Sequence, residues 1–399
     1  MLKVKNKLVG KISSKNTLKG KLNITKEKVY PSLINLEVTP SSEEQVFNHD
    51  GSYGYDNVTV KKIEDENLIS ENIKDGVEIL GITGNFVGSK YAPRHISFYN
   101  YQGTDLTDEI SKLDTSNITG MLNMFQNCGK LKSLDLSSFD TSNVTNMNSM
   151  FNQCTNITEI NLKNWNTENV TTMASMFSMC QYLPKIDVSH FNTSNVTTMY
   201  QMFYNSYNLN NIDLSNFDVS NVKNLGAMFC GCKALTNITF GNWKPLVTTN
   251  MYQMFYNCTN ITNIDLSGFD TLNVTSMNQM FQNCSKLQSL DLSNFNTSNV
   301  TTMTNMFREC EALTSLDLSS FDSSKLTNVT SMFYGCKKLK HLDIRNFDFT
   351  KVTSYSVMFT NVPTDCLIIV KDDTARDWIL AIRSDFTNIK TVSEYEGAE

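Results

Sequence analysis

Cysteine has the most versatile side-chain chemistry in this sequence, because its thiolate binds zinc and its thiol forms disulfides. There are ten cysteines, and eight of them belong to one series with a 26-residue period. Zinc needs ligands that converge on one point, whereas this series supplies one thiol per period. We therefore predict buried thiols, no metal and no cofactor, with Cys230 outside the series as the most reactive thiol. The series is Cys128, Cys154, Cys180, Cys232, Cys258, Cys284, Cys310 and Cys336, with Ser206 and Val362 as substitutes.

Carboxylates recur with the same period, between two leucines of a short apolar pattern. Neighbouring carboxylates repel each other unless they are solvated, hydrogen-bonded or bridged by cations. Two interpretations stay open, a solvated acidic ladder or a concave face that binds cations or a basic ligand. Asn161 and Thr239 interrupt the column, whose acidic members are Asp135, Asp187, Asp213, Asp265, Asp291, Asp317 and Asp343.

Tyrosines form the least repetitive group of candidate binding residues. Tyr200 and Tyr204 occupy one repeat, Tyr252 and Tyr256 occupy the repeat after next, and Tyr207 and Tyr334 lie nearby in the pattern. Exposed aromatic rings with a polar hydroxyl suit carbohydrate stacking or a protein-binding hot spot. Ordinary surface variation in a composition rich in Asn and Tyr is the alternative.

No pattern typical of an enzyme accompanies these columns. The sequence has no P-loop, no G-x-S-x-G and no H-E-x-x-H motif, and its four histidines are isolated. The net charge of −6 disfavours nucleic acid as the main partner. No stretch approaches the roughly 20 apolar residues of a membrane helix. We expect a protein that is not an enzyme, does not bind nucleic acid and does not insert into a membrane.

The dipeptide Met-Phe explains why these columns are in register. It occurs ten times, from Met124 to Met358, with an unbroken 26-residue period. Such a period is typical of a solenoid, in which each unit buries its apolar face against its neighbours. Positions in each repeat are counted from that Met as position 0. Apolar residues fall at −3, 0, +1 and +4, which is the spacing of one helix face. Nine of the ten copies have Thr at −5, where it would cap a helix. The pattern predicts a short helical segment in every repeat.

The second half of each repeat reads L-x-x-L-x-L-x-x-F, as in Leu131, Leu134, Leu136 and Phe139. Its alternation predicts a short strand with inward leucines. Strand, turn and helix in each unit predict an α/β repeat, a leucine-rich-repeat solenoid of ten 26-residue units with a curved parallel sheet, about 50 Å long at the strand spacing of sheets.

The repeat phrase LDLSSFDTSNVTNMNSMFNQC (residues 134–154) resembles the repeats of BspA-like leucine-rich surface proteins. The resemblance covers about residues 105–362. It implies a solenoid that acts in adhesion. Members of that family often carry a secretion signal, and the basic start of this sequence lacks the apolar core of one, so we expect folding in a cytoplasm.

Residues 1–91 differ from the repeats and resemble another group. Residues 1–30 read as a lysine-rich β arm, and residues 31–91 as a small β-rich attachment module. The phrase NIKDGVEILGITG (residues 72–84) is similar to a module of tail-fibre and baseplate proteins of bacteriophages and phage-tail-like bacteriocins. That resemblance implies attachment to other tail or baseplate proteins.

These segments predict four regions: the arm, the module, a solenoid at 92–362, and a C-terminal cap at 363–399 with a strand–helix–strand pattern. The predicted function is that of a phage or phage-tail-like particle component whose solenoid binds a glycan or protein of the bacterial surface. A cellular BspA-like adhesin on the bacterial surface and a structural spacer without a ligand are the alternatives. Self-association is left open.

Overall fold

A computed structural model of the protein describes residues 96–397 and four short strands nearer the N-terminus. The chain forms two compact units, residues 1–97 with 114–118, and residues 98–113 with 119–399. In the first unit, β1 (Leu8–Val9) pairs antiparallel with β2 (Lys21–Leu22), and β3 (Glu78–Ile79) with β4 (Ile82–Thr83). The predicted arm and attachment module otherwise lie outside the described residues.

The second unit contains the repeats and the C-terminal segment. Its helices are α1 (Thr107–Ile110), α2 (Asp373–Ile382) and α3 (Val392–Glu396). Its strands are β5 (Ser133–Asp135), β6 (Glu159–Asn161), β7 (Asn211–Asp213), β8 (Asn237–Thr239), β9 (Ser315–Asp317), β10 (His341–Asp343), β11 (Leu367–Val370) and β12 (Ile389–Thr391).

Each 26-residue repeat is one coil of a solenoid, as predicted, and the ten coils are numbered here from the Met-Phe pair at 124 to the pair at 358. The core consists of the columns seen in the sequence. In the seventh coil, Met277, Met280, Phe281 and Cys284 have no exposed surface. Ten phenylalanines at position +1 stack along the axis, with ring centroids 5.4 Å apart between Phe151 and Phe177 and 5.9 Å between Phe307 and Phe333. The buried core of each coil is therefore continuous with the core of the next coil.

The predicted helical segment is wrong, since the Met-Phe stretch of each coil is a series of turns. Residues at −1 and +3 have positive φ in all ten coils, for example Ser149 at 54° and Gln153 at 64°. Alternate backbone N–H groups donate to the next coil, as from Phe125 N to Met150 O at 2.8 Å. A helix would direct those N–H groups along its own axis, whereas here they join coils.

The Thr at −5 is hydrogen-bonded to the Thr of the preceding coil and does not cap a helix. The backbone N of Thr145 donates to the carbonyl of Thr119 at 2.9 Å, and its hydroxyl donates to the same carbonyl. The adjacent position, −4, forms nine successive parallel bridges that run from Gly120 to Ser354. Backbone pairing is thus unbroken along this side of the solenoid.

The leucine side pairs less regularly than the predicted continuous sheet. β5 pairs with β6, β7 pairs with β8, and β9 to β12 form one four-stranded parallel sheet. The third, sixth and seventh coils have no strand at this position. The Met-Phe side therefore supplies the continuous backbone connection between coils.

Side-chain ladders complete the bonding between coils. Each series cysteine from Cys154 onward donates its Sγ hydrogen to a phenylalanine carbonyl of the preceding coil, as from Cys154 to Phe125 at 3.1 Å. The Asn of the Asn-Val-Thr phrase donates from its side-chain amide to a backbone carbonyl of the preceding coil, as from Asn195 Nδ2 to Glu168 O at 2.7 Å. These phrases, which match glycosylation sequons, have a structural role in the stack.

The C-terminal segment follows the last coil as β11, α2 and β12, and β11 pairs in parallel with both β10 and β12. The Asp372 carboxylate caps α2 by accepting from Ala375 N at 3.0 Å. Trp378 stacks on Phe349 with ring centroids 4.1 Å apart, and Ile379 has no exposed surface. The terminal apolar surface is covered in this way.

Candidate binding surface

Positions −2, −1, +2 and +3 of each coil form the outer side of the Met-Phe segment. Tyr200 and Tyr204 occupy −2 and +2 of the fourth coil, and Tyr252 and Tyr256 occupy them in the sixth. All four side chains are half-buried. Backbone turns rather than a helix set this geometry, and the four rings are partly exposed, as a binding role requires.

The fifth coil, between the two tyrosine pairs, has only small residues in the same columns. They are Gly226, Ala227, Cys230 and Gly231. Cys230 is 4% exposed, more than any other of the ten cysteines but still buried, and its place as the most reactive thiol stays a prediction. Burial raises the pKa of the Cys230 thiol to about 12. Its coil is hydrogen-bonded to both neighbours, with Asn205 N donating to Cys230 O at 2.7 Å and Gly231 N donating to Tyr256 O at 2.7 Å.

Backbone hydrogen bonds join the two tyrosine-bearing coils through the fifth coil. Gln201 N donates to Gly226 O at 3.0 Å, and Ala227 N donates to Tyr252 O at 2.7 Å. Burial raises the pKa of Tyr252, and Cys230, Tyr200, Tyr256 and Tyr204 raise it further. Burial also raises the pKa of Tyr204, again with a contribution from Cys230. The two tyrosine pairs therefore lie two coils apart, on the Met-Phe segments that adjoin that of the fifth coil. We call Tyr200, Tyr204, Tyr252 and Tyr256 the tyrosine platform.

The other two candidate tyrosines contact cations of the chain. Lys233 Nζ lies 4.8 Å from the centre of the Tyr207 ring, and the Arg308 guanidinium lies 4.0 Å from that of Tyr334. Tyr334 belongs to the ninth coil, beyond the coils that hold the platform. These rings are held by cation–π contacts within the solenoid.

An exposed apolar group that the sequence reasoning missed lies in the same part of the solenoid. Leu246 is 48% exposed, Val247 39% and Leu272 46%. Leu246 and Leu272 occupy the same column of the fifth and sixth coils, where most repeats have Ser. That departure from the column was the available signal. Coils four to six thus hold the tyrosine pairs and three of the seven exposed large hydrophobic side chains of the described residues.

The acidic column is explained by local hydrogen bonding. The Asp187 carboxylate accepts from Ser189 N at 3.1 Å and from Ser189 Oγ at 2.7 Å. These side-chain and backbone bonds hold the pKa of Asp187 below its ordinary value. The resulting stabilisation is present above the unfolded-state pKa and is lost as the pH falls through the lowered folded value. The same backbone bond to residue i+2 is made by Asp135, Asp213, Asp265, Asp291, Asp317 and Asp343.

Asp343, the last member of the column, has a different environment. Asp343 is 3% exposed, and its carboxylate forms an ion pair with Arg345, in which Arg345 Nη2 lies 2.7 Å from Asp343 Oδ2. Arg345 also pairs with Glu396 of α3. Asp343 is therefore engaged with the C-terminal segment, whereas the other six carboxylates lie on the solvent side of the coils.

Across residues 96–397, no group of three or more His, Cys, Asp or Glu side chains is arranged to hold a metal ion. His190 bonds to the Leu162 carbonyl through Nε2 at 3.0 Å. No helix within the same range is both long and apolar enough to cross a membrane.

The position of Cys230 between the two tyrosine pairs predicts how its thiol reacts. All ten cysteines are free thiols, and they should react slowly with a thiol reagent in the native chain because they are buried. Replacing the four platform tyrosines with Ser should make Cys230 alone react rapidly, which peptide mapping by mass spectrometry measures. Tyr182→Ser, at an exposed tyrosine outside the platform, is the control and should change nothing. Rapid labelling of Cys230 in the parent chain would show that the tyrosines do not cover it.

Comparison with known proteins gives similar solved structures at low identity, and no curated protein matches. A leucine-rich repeat protein from Eubacterium ventriosum is 15% identical, covering 67% of this chain and 87% of that one, with a TM-score of 0.29. The functional domain of InlJ from Listeria monocytogenes, which includes a cysteine ladder, is 16% identical over 75% and 73% of the two chains, with a TM-score of 0.19. TLR13 in its complex with ssRNA13 is 13% identical, covering 72% of this chain and 55% of that one, with a TM-score of 0.23.

A family model matches the repeats in three overlapping stretches, residues 95–185, 153–263 and 249–366. Together they span the ten coils and more than half of the chain. The chain therefore belongs to the family described as Mycoplasma protein of unknown function, DUF285.

Proposed function

We propose that this protein is a non-catalytic binding protein that contacts a partner at a microbial cell surface through the tyrosine platform. The observation that carries the proposal is the pair of tyrosines in each of two coils. A solenoid of identical coils needs no tyrosine at −2 and +2, yet two coils that flank a coil of small residues have it at both positions. Half-buried tyrosines combine a large rigid contact area with a hydroxyl that bonds to a ligand.

The regular coils support the proposal as a scaffold. Backbone bridges join each of the ten coils to the next, so the distance between the coils that hold the platform is fixed by backbone pairing. Sites on rigid elements lose little conformational freedom on binding. Solenoids use such extended surfaces for partner recognition.

The place where the protein acts is part of the same proposal. We retain attachment of residues 1–91 to a phage tail or phage-tail-like particle as the finer hypothesis, which depends on the sequence resemblance of that segment. The family description names Mycoplasma proteins without a function, and a cellular adhesin is the alternative. Deleting residues 1–91 should abolish incorporation into particles under the first hypothesis only, and particle purification followed by immunoblotting distinguishes the two.

Changing the four platform tyrosines to Ser should weaken binding to cells by at least tenfold, equivalent to about 1.4 kcal/mol. None of the four is a core position, so the thermal unfolding midpoint should stay close to that of the parent. Flow cytometry with labelled full-length protein measures the binding, and Tyr182→Ser serves as the matched control. Equal binding by the parent and the platform variant would contradict the proposed site. If the parent binds no cells, the alternative of a structural spacer without a ligand replaces the proposed function.

A further inference from the structure

The chemistry of the platform's surroundings identifies a class of ligand. In coils three to seven, none of the side chains at −2, −1, +2 and +3 is charged. Amides adjoin the tyrosines instead, with Gln201 and Asn205 in the fourth coil and Gln253 and Asn257 in the sixth. The surface is therefore aromatic and amide-rich, with no net charge of its own.

Charged side chains occur only outside these columns in this part of the solenoid. Lys233 follows the Met-Phe segment of the fifth coil and lies over the Tyr207 ring. The first charges within the columns are Arg308 and Glu309 of the eighth coil, and Arg308 is stacked on Tyr334. A charged ligand on the platform would find no opposite charge in the columns, so electrostatic complementarity favours a neutral one.

Amide groups match hydroxyl groups because each amide both donates and accepts hydrogen bonds. Gln253 Nε2 donates to Gln279 Oε1 at 3.1 Å, and Gln279 Nε2 donates to Gln282 Oε1 at 2.7 Å. The amides of the sixth and seventh coils thus hold one another in place beside the platform. Amides and aromatic rings side by side match the two parts of a sugar ring, because the amides can bond to its hydroxyls and the rings can stack on its apolar C–H face.

The spacing of the rings suits an extended ligand. The centroids of Phe203 and Phe229 are 5.6 Å apart and those of Phe229 and Phe255 are 5.8 Å apart, so two such steps separate the fourth coil from the sixth along the stack. The small side chains of the fifth coil add no bulk between the two tyrosine pairs. A short oligosaccharide laid along the solenoid axis can contact both pairs at once.

A protein partner fits these features less well. Protein-binding hot spots are rich in Trp, Tyr and Arg that fill desolvated pockets. The columns of coils three to seven have no Trp and no Arg, and amides are the commonest side chains beside the tyrosines.

We propose that the tyrosine platform binds an uncharged glycan, with the rings stacking on sugar C–H faces and the flanking amides bonding to hydroxyls. The inference rests on the proposed function, since it names the partner of the same site. Because no charge contributes, binding should not respond to ionic strength.

The test uses the full-length chain on immobilised polysaccharides, measured by biolayer interferometry. The uncharged probes are mannan, β-1,3-glucan and galactan, and the charged probes are heparin and hyaluronan. The parent should bind at least one uncharged probe equally well in about 0.1 M and about 1 M salt, between which the Debye length falls from about 10 Å to about 3 Å. The tyrosine-to-Ser platform variant should bind that probe at least tenfold more weakly, and a variant with Phe at the four positions should retain most of the binding.

The outcomes separate this inference from the proposed function. Binding to charged probes alone, or binding that weakens with salt, overturns the neutral glycan. Binding to no polysaccharide, combined with cell binding that needs the tyrosines and is lost after protease treatment of the cells, overturns the glycan but leaves the proposed function standing. Unchanged glycan and cell binding by the Ser variant overturns both. If that variant fails to fold, the probe and salt comparisons on the parent still decide the class of ligand.

Discussion

Replacing Phe281 with Ala in the seventh coil should lower the free energy of unfolding by about 3–5 kcal/mol, the usual cost of truncating a buried aromatic residue. Phe281 has no exposed surface and stacks between Phe255 at 5.6 Å and Phe307 at 5.7 Å. Removing the ring leaves a cavity and interrupts the aromatic stack on both sides. Denaturant unfolding of the parent and the variant measures the difference.

The damage should begin locally, because each coil of a solenoid contacts only its neighbours. Hydrogen exchange should show the sixth, seventh and eighth coils losing protection before the C-terminal segment around α2 does. Ser289→Ala, at an exposed position of the same coil, is the matched control and should leave stability within about 0.5 kcal/mol of the parent. Simultaneous loss of protection in all ten coils would contradict nearest-neighbour coupling.

Replacing Gly241 with Ala should also destabilise the fold strongly. Gly241 has φ +61°, a conformation that costs a non-glycine residue about 1–3 kcal/mol. An added Cβ would lie 2.6 Å from the Ser215 carbonyl oxygen and 2.7 Å from the Ser215 Cα. Those atoms are backbone of the fourth coil, so the clash can be relieved only by moving one coil against another. The loss in unfolding free energy should therefore exceed the conformational cost alone.

Gly120→Ala provides the comparison for Gly241. A Cβ at Gly120 meets no atom within 4 Å, so the thermal unfolding midpoint of that variant should stay near the parent value. The Gly241 variant should unfold at a clearly lower temperature in the same calorimetric experiment. Equal midpoints for the two variants would show that the fourth and fifth coils are not packed closely at Ser215.

The columns of the core could be predicted from the sequence because an exact period leaves little freedom of register. Once Met and Phe recur with an unbroken period, each coil must bury the same positions as its neighbour. The structure confirms this at Met280, Phe281 and Cys284, which have no exposed surface. The hydrophobic effect acts on residue type, and residue type is visible in the sequence.

The backbone of the Met-Phe segment could not be predicted in the same way. Apolar residues at −3, 0, +1 and +4 face one side in a helix, and they also face one side in the observed turns. What distinguishes the two is the acceptor for each backbone N–H, and the next coil supplies it, as Asn148 O does for Asn123 N. Asn and Gly at +3, for example Asn257 and Gly231, were the local signal, since both tolerate positive φ.

The candidate surface shows the same division. The sequence by itself determined that the four platform tyrosines lie at outward positions, because the period assigns every residue to a column. Only the tertiary structure decided what lies between them. Residues one period apart in sequence are neighbours in the stack, so Cys230 of the fifth coil lies between the tyrosine-bearing fourth and sixth coils, and it is only 4% exposed. Position within a repeat sets the direction of a side chain, whereas its exposure depends on the size of the side chains one coil before and one coil after it.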